Sequence, residues 1–242
     1  MRINYITFLC SFCLFISSSY AGVDQEIAAS HKCSNLFPYF ERKFSIPSNT
    51  LHSIALKESG KKHTKHNLVL VWPWAVNVEG KGYYFNTKRE AITFVKRQIM
   101  QGKEDIDVGC MQISLKHHLE AFDSLGEAFN PATNVEYGAK FLRSKYEKLG
   151  SWHKAIAHYH SATDSLGLQY KQAVIRIANN INNYKNSLIK HSSNSDYAAY
   201  QVASNYKQEI LPPKDYSVMS KRNMRKYKSN IMVMVPNTKL QN

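Results

Sequence analysis

The most informative hydrophobic pattern in the chain lies between Ser48 and Gly60. Apolar residues recur there at the spacing of one helix face, and the residue that continues the series is an acid, Glu58. The apolar members of this face are Leu51, Ile54 and Ala55. Because Ser48 is a typical helix N-cap and Gly60 a typical stop, the pattern predicts a short helix with Glu58 in its last turn.

The rest of the chain predicts further helices and one β-hairpin. Periodic apolar positions, N-caps and glycine stops predict helices over residues 22–46, 87–102, 130–150, 151–160 and 169–190. A stretch rich in Val, Trp and Tyr over residues 67–85 predicts a hairpin that turns at residues 79–82. The predicted fold class is therefore mostly α, an α+β arrangement with a small β element.

The position of Glu58 gives this acid unusual properties. A carboxyl group that faces apolar neighbours loses hydration, and the negative end of the helix dipole lies close to it. Both effects raise its pKa and allow a glutamic acid to donate a proton near neutral pH. The alternative is an exposed Glu58 that pairs with Lys61, Lys62 or a histidine, since charged side chains are usually exposed.

The N-terminus has the pattern of a secretory signal peptide. Arg2 precedes an apolar run from Ile3 to Ile16, and the small residues Ser19 and Ala21 follow it. This order predicts a signal peptide over residues 1–21 and export to the periplasm or another extracytoplasmic compartment. The run is too short to favour a membrane-spanning helix, so we predict no transmembrane anchor after cleavage; an uncleaved anchor is the alternative.

The C-terminal part of the chain differs in composition from the region before it. Residues 191–242 begin with a polar segment and later carry a basic cluster. The cluster consists of Lys221, Arg222, Arg225, Lys226 and Lys228. We therefore predict a folded domain over residues 22–190, followed over residues 191–242 by a largely disordered tail or docking arm.

Net charge limits the classes of partner. The 242-residue chain carries a formal net charge of +14, which attracts it to nucleic acid, anionic membranes and acidic cell-wall polymer. The predicted export argues against nucleic acid as the partner. The sign of the charge does not choose between the other two.

Cysteine and histidine positions bear on disulfide and metal chemistry. Removal of the signal peptide leaves Cys33 and Cys110, and an even pair in an oxidising compartment predicts one disulfide. Two separate buried thiols are the alternative. His63 and His66 stand in the basic stretch 61–67, which predicts a surface loop, with no cysteine or acidic partner beside them. No metal site is therefore predicted.

Aromatic and amide residues supply candidate contacts for a sugar. Trp72 and Trp74 crowd the predicted hairpin, where they form either its core or one wall of a saccharide groove. Gln112 follows the conformationally permissive Gly109 and offers both a donor and an acceptor. Tyr159 faces inward from its predicted helix, where a core role is the usual one.

Three short motifs occur in a fixed order along the chain. They are Glu58-Ser59 at a helix end, then Gly109-Cys110-Met111-Gln112, then Ala157-His158-Tyr159-His160. Together they resemble the lytic transglycosylases of bacterial cell walls, and the resemblance covers about residues 33–180. The stretch from Trp72 to Gly80 is similar to the subgroup associated with secretion and conjugation machines. Such enzymes resemble goose-type lysozyme, which implies a helical lobe with a small β-hairpin flap.

The resemblance implies a role for each motif. Glu58 is the single acid and base, and the implied substrate-binding residues come from all three motifs and from the hairpin. They are Ser59, Trp72, Trp74, Met111, Gln112, Tyr159 and His160. Two positions depart from the family pattern. Cys110 replaces the usual Leu, in agreement with the predicted disulfide, and His160 replaces the usual Asn and can gain charge at acidic pH.

The implied reaction is cleavage of the β-1,4 bond between N-acetylmuramic acid and N-acetylglucosamine, with formation of a 1,6-anhydro ring and without metal or cofactor. The implied partners are peptidoglycan glycan strands and, through the tail, components of a secretion apparatus. Two alternatives stay open. In the first, Asp105 or Asp107 lies close to Glu58 and diverts the reaction to lysozyme-like hydrolysis. In the second, the chain binds peptidoglycan without cleaving it.

Overall fold

The computed structural model describes residues 24–192. The predicted signal peptide and the predicted tail beyond Ser192 lie outside the described residues, and so does the basic cluster at residues 221–228. None of the described helices is long and apolar enough to cross a bilayer.

Within residues 24–192 the chain forms nine α-helices and six short β-strands. The helices are α1 (Gln25–Ser34), α2 (Phe37–Lys43), α3 (Thr50–Ser59), α4 (Lys88–Met100), α5 (Leu125–Ala128), α6 (Pro131–Leu149), α7 (Trp152–His160), α8 (Asp164–Asn179) and α9 (Ile181–His191). The strands are β1 (Gly60–Lys62), β2 (Val69–Val71), β3 (Ala75–Val78), β4 (Lys81–Tyr84), β5 (Ile106–Val108) and β6 (Ile113–Ser114). The predicted fold class, mostly helical with a small antiparallel β element, is confirmed.

Two antiparallel sheets accompany the helices. β3 and β4 form a hairpin around Glu79 and Gly80, whose φ angles are 51° and 84°. A two-residue turn with positive φ angles matches the natural twist of a hairpin. β5 and β6 extend this sheet in the order β4-β3-β5-β6. The predicted hairpin begins too early in the sequence. Its first part contains β2, which pairs with β1 and not with the hairpin strands, and β1 lies where a surface loop is predicted.

Two of the predicted helices are each divided. The segment predicted as one helix over residues 22–46 forms α1 and α2, because Pro38 has no N–H to continue a helix and stands in the first turn of α2. The segment 169–190 belongs to α8 and α9, which separate at Asn180. The Asn180 side chain donates to the Arg176 carbonyl oxygen at 3.0 Å and so competes with the backbone bonds of a continuous helix.

Helix α3 carries the candidate acid and begins with an unusual cap. The N-cap is Asn49 and not the predicted Ser48; its φ of 68° is left-handed, and its side chain caps no N–H of the helix. The buried Glu41 carboxylate of α2 takes that role and accepts from the N–H groups of Asn49 at 2.9 Å and Leu51 at 2.8 Å. At the other end, Gly60 is extended and continues directly into β1.

Glu41→Gln is expected to weaken the pH dependence of stability. Burial raises the pKa of Glu41 to about 7, although backbone hydrogen bonds lower it. Such a group destabilises the fold as the pH rises from about 4.5, its ordinary pKa, to about 7. The loss is on the order of 3 kcal/mol for a shift of this size. The free energy of unfolding in urea should therefore change less for the variant between roughly pH 5 and roughly pH 8.

Glu147→Gln is the matched control for this variant, because the Glu147 side chain is 62% exposed on α6. Its pH dependence should equal that of the unmodified protein. If Glu41→Gln also keeps the full pH dependence, the buried carboxyl group of Glu41 is not the source of it.

The helices enclose a hydrophobic core centred on α3. Its predicted apolar face is confirmed, since Leu51, Ile54 and Ala55 are fully buried, and residues of α1, α2, α6, α7 and α8 pack around them. Cys33 of α1 and Cys110 are also fully buried and form a disulfide with Cα atoms 6.0 Å apart. The disulfide ties the first helix to the segment that follows β5, beside the end of α3.

Candidate active site

Glu58 lies in the last turn of α3, at the edge of the core. Part of the residue is exposed to solvent, but the surrounding protein removes most of the water from its carboxyl group. This loss of hydration raises the pKa of Glu58 to about 7. The Tyr170 hydroxyl lowers this pKa, the negative charge of Asp107 raises it, and Lys57 lowers it. Near neutral pH a large fraction of Glu58 is therefore protonated, as a proton donor requires.

Tyr170 of α8 is a residue of the site that the sequence does not reveal. Its side chain is 4% exposed, and its hydroxyl faces the Glu58 carboxylate without a hydrogen bond of standard geometry to any described residue. Its ring stacks on the exposed His160, with centroids 4.7 Å apart and planes at 6°. Because Tyr170 continues the apolar stripe of its helix, its spacing is that of an ordinary core residue.

Tyr159 of α7 also lies near the acid. Burial and then the charge of Glu58 raise the pKa of Tyr159 well above its usual range. Its hydroxyl donates to the Met111 carbonyl oxygen at 3.0 Å. Gly138 makes room for this contact, since a Cβ there would lie 2.9 Å from the Met111 Cβ and 3.0 Å from the Tyr159 hydroxyl. The Met111 side chain is fully buried, so it supports the site from inside the core.

A buried asparagine holds the loop at residues 109–112. Asn134 of α6 donates to the carbonyl oxygens of Val108 and Ala128 at 3.0 Å and accepts from the Met111 N–H at 2.9 Å. Gly109 has a φ of 82°, and a Cβ at that position would clash with the Asn134 amide. The loop therefore requires both the glycine and the asparagine, of which only the glycine is singled out by the sequence.

Gln112 and Ser59 connect this loop to the rest of the site. The Gln112 Nε2 donates to the carbonyl oxygens of Ala75 at 3.2 Å and Gly109 at 3.0 Å. These bonds fix the amide and leave its Oε1 to accept from a bound molecule. Ser59 is fully buried, and its hydroxyl donates to the Cys110 carbonyl oxygen at 2.7 Å. It joins the end of α3 to the loop and thereby positions the acid.

The two tryptophans of the predicted site differ in exposure. Trp72 is 2% exposed, and its Nε1 donates to the Phe85 carbonyl oxygen at 2.7 Å, so it belongs to the core. Trp74 is partly exposed and packs edge-on against Trp72 with centroids 6.1 Å apart. Since its neighbour Ala75 contacts Gln112, Trp74 lies beside the loop. Of the two rings, Trp74 is the one with free surface.

Asp107 adds a second carboxyl group near Glu58. It lies on β5 and is partly buried, and burial together with the charge of Asp105 raises its pKa to about 6, although the Ser114 hydroxyl lowers it. Above that pH Asp107 carries a negative charge. This charge opposes the ionisation of Glu58 and so helps to keep it protonated.

His63 and His66 have no acidic neighbour in sequence, but the fold brings Asp24 close to them. The three residues form a cluster with the spacing of a metal-ligand set. The His63 Nε2 lies 3.0 Å from an Asp24 carboxylate oxygen, while its Nδ1 accepts from the N–H groups of Lys65 and His66 at 2.9 Å. A histidine that binds metal donates its other ring N–H. Because the Nδ1 of His63 accepts, its proton resides on Nε2, which disfavours metal binding by this ring.

A helical lobe, a small antiparallel sheet and one partly buried glutamic acid at a helix end define a lysozyme-like domain. The profile of the family described as Transglycosylase SLT domain matches residues 35–182. The match covers more than half of the chain, so the chain belongs to this family, whose activity is lytic transglycosylation of peptidoglycan. No curated protein and no solved structure is significantly similar to the chain.

Proposed function

We propose that the protein is a peptidoglycan lytic transglycosylase that cleaves the β-1,4 bond between N-acetylmuramic acid and N-acetylglucosamine. The observation that carries this proposal is the placement of Glu58 at the partly exposed end of α3, with the Tyr170 hydroxyl and Asp107 beside it and with burial that raises its pKa to about 7. A glutamic acid in this state donates its proton to the bridging oxygen while positive charge develops at the anomeric carbon.

The second half of the proposed reaction uses the same residue as a base. The N-acetylglucosamine side leaves with the proton of Glu58 on its oxygen, and the acetamido group of the substrate stabilises the anomeric carbon. The Glu58 carboxylate then removes the proton of the O6 hydroxyl of N-acetylmuramic acid, and O6 attacks the anomeric carbon. A 1,6-anhydro ring forms and Glu58 regains its proton, so the reaction balances without water.

Other residues of the site support this assignment. The Tyr170 hydroxyl stabilises the Glu58 carboxylate between the two proton transfers, because it favours the charged form. The Gln112 Oε1 accepts from a sugar hydroxyl or acetamido N–H, and the Trp74 ring stacks on a sugar face. His160, exposed on the ring of Tyr170, is the proposed sugar contact at the rim.

Digestion of purified peptidoglycan tests the proposal. We expect products that end in 1,6-anhydro-N-acetylmuramic acid, which mass spectrometry separates from hydrolysis products because each is lighter by one water. Products with reducing ends would support hydrolysis. Sedimentation of the protein with peptidoglycan, without any product, would support a binding protein and contradict the enzyme.

Lysozyme-like hydrolysis is the second candidate function, and Asp107 is the observation that favours it, because a second carboxylate can activate water. Asp107→Asn in the same digestion separates the two. If Asp107 acts only through its charge, the variant keeps the anhydro products and loses activity at a lower pH than the unmodified protein, since the pKa of Glu58 falls. If Asp107 activates water, reducing-end products disappear. Asp123→Asn, at an exposed position before α5, is the control.

We also propose where the reaction takes place. Peptidoglycan is the family's substrate, which supports an extracytoplasmic location, and we infer export through cleavage after residue 21. We also propose that the protein remodels the wall locally for a secretion or conjugation apparatus. Two sequence features support this role: the similarity of the stretch from Trp72 to Gly80 to that subgroup, and the basic cluster within residues 191–242. Recovery of the protein at full length from the cytoplasmic fraction would contradict export.

A further inference from the structure

Three histidine rings stack in a column between the loop that joins β1 to β2 and the last residue of α9. The ring centroids of His63 and His66 are 4.6 Å apart with planes at 30°, and those of His66 and His191 are 4.0 Å apart with planes at 21°. His66 and His191 are partly exposed, whereas only 1% of the His63 side chain is. This histidine column joins the end of α9 to a loop that is distant in sequence.

The hydrogen bonds of His63 require a neutral ring. Its Nδ1 accepts from the backbone N–H groups of Lys65 and His66, both at 2.9 Å, and these bonds hold the turn of the loop. Its Nε2 carries the proton and donates to an Asp24 carboxylate oxygen at 3.0 Å. A second proton would have to go to Nδ1, where it would face two N–H donors. His63 therefore gains a charge only if the loop opens.

The charged groups around the column act in opposite directions. Asp24, the N-cap of α1, and Glu26 of α1 have carboxylate oxygens 3.0 and 3.6 Å from the His63 Nε2, so they attract positive charge to the column. Lys61 of β1 forms an ion pair with Glu26 and cancels part of this attraction. Further basic groups near the column are Lys65 of the loop, His31 of α1 and Lys190 of α9. The acids thus favour a proton that the loop geometry rejects.

The stacked rings also oppose protonation at the α9 end of the column. Partial burial lowers the pKa of His191, and so do the neighbouring basic groups, His66, Lys190 and His63, whereas Asp24 raises it. A histidine whose pKa is lowered in the fold stabilises the closed state above its ordinary pKa of 6.5, and this contribution is lost as the pH falls below that value. Two charged rings with centroids 4.0 Å apart would also repel each other. The column is therefore closed when its rings are neutral, and protons favour its opening.

We propose that the histidine column is a pH-sensitive latch, which holds the end of α9 on the β1–β2 loop at neutral pH and releases it at acidic pH. Release extends into the domain through Leu188 of α9, which is 3% exposed and packs in one hydrophobic cluster with Leu70 and Trp72. Residues 193–242 follow α9 directly in the sequence, so the latch also controls how this segment is attached to the domain. The latch operates whether or not the chain cleaves peptidoglycan.

Hydrogen exchange of the backbone amides tests the latch. Between roughly pH 7.5 and roughly pH 5, after correction for the intrinsic pH dependence of exchange, protection in the last turn of α9 should fall by up to about tenfold per pH unit for each proton taken up. Protection in α6 should stay constant. The double variant His66→Phe/His191→Phe keeps stacked rings that do not titrate, so α9 should stay protected in acid. His153→Phe, at an exposed position on α7, is the matched control and should behave as the unmodified protein.

Equal loss of protection in the unmodified protein and in the double variant would place the acid-sensitive groups elsewhere and overturn the latch. Constant protection in both would overturn it as well. If the double variant is already open at neutral pH, an NMR titration of the histidine rings in the unmodified protein decides. A measured His191 pKa below 6.5, together with loss of α9 protection in acid, supports the latch, whereas a pKa at or above 6.5 shows that the closed column does not resist the proton and overturns it.

Discussion

Glu58→Gln is expected to lower the turnover of peptidoglycan by about a thousandfold while the protein keeps its fold. The amide has nearly the shape of the carboxyl group, but it neither donates a proton to the glycosidic oxygen nor removes the proton of O6. Both halves of the proposed reaction therefore fail together. The release of anhydromuropeptides, quantified by mass spectrometry, measures the loss. In the unmodified protein the rate should fall as the pH rises through about 7, where Glu58 loses its proton.

A stability measurement separates this loss from misfolding. Because the pKa of Glu58 is raised to about 7, its ionisation destabilises the folded protein as the pH rises from about 4.5 to about 7. Glu58→Gln removes this effect, so at roughly pH 8 it should melt at or above the temperature of the unmodified protein. Glu104→Gln, whose side chain is 63% exposed, should change neither property. A lower melting temperature of Glu58→Gln together with lost activity would contradict the assignment of Glu58.

Features that depend on a few consecutive residues can be predicted from this sequence. Asn130 caps α6 and Pro131 is its first residue, as the sequence predicts, because both signals act within one helical turn. Gly150, with a φ of 68°, ends the same helix. The position of Glu58 on the apolar side of α3 is of the same kind, since it follows from the spacing of its immediate neighbours.

Features that depend on contacts between distant segments are not visible in the sequence. Glu41 caps α3 from another helix, so no residue beside Asn49 indicates it. Tyr170 and Asn134 have the spacing of core residues, and only the folded chain brings them to Glu58 and to the loop at residues 109–112. The sequence therefore predicts the acid, whereas the groups that adjust its pKa and hold the loop beside it emerge from tertiary structure.

Loss of the Cys33–Cys110 disulfide is expected to lower the free energy of unfolding by about 2 to 4 kcal/mol. The two cysteines are 77 residues apart in sequence, so the bond restricts a large part of the unfolded chain. Urea unfolding of the double variant Cys33→Ser/Cys110→Ser, compared with the unmodified protein, measures the loss. Dithiothreitol should destabilise the unmodified protein and leave the double variant unchanged. Alkylation of both thiols in the folded, non-reduced protein would contradict the bond.

The same double variant tests what holds the active-site loop in place. Cys110 accepts from the Ser59 hydroxyl and precedes Gln112 by two residues, so the disulfide anchors the loop next to the proposed substrate contact. If the bond positions the loop, the folded double variant should have a raised KM below its unfolding transition. If the folded variant keeps the KM of the unmodified protein, the hydrogen bonds of Asn134 suffice to hold the loop, and the disulfide acts only by restricting the unfolded chain.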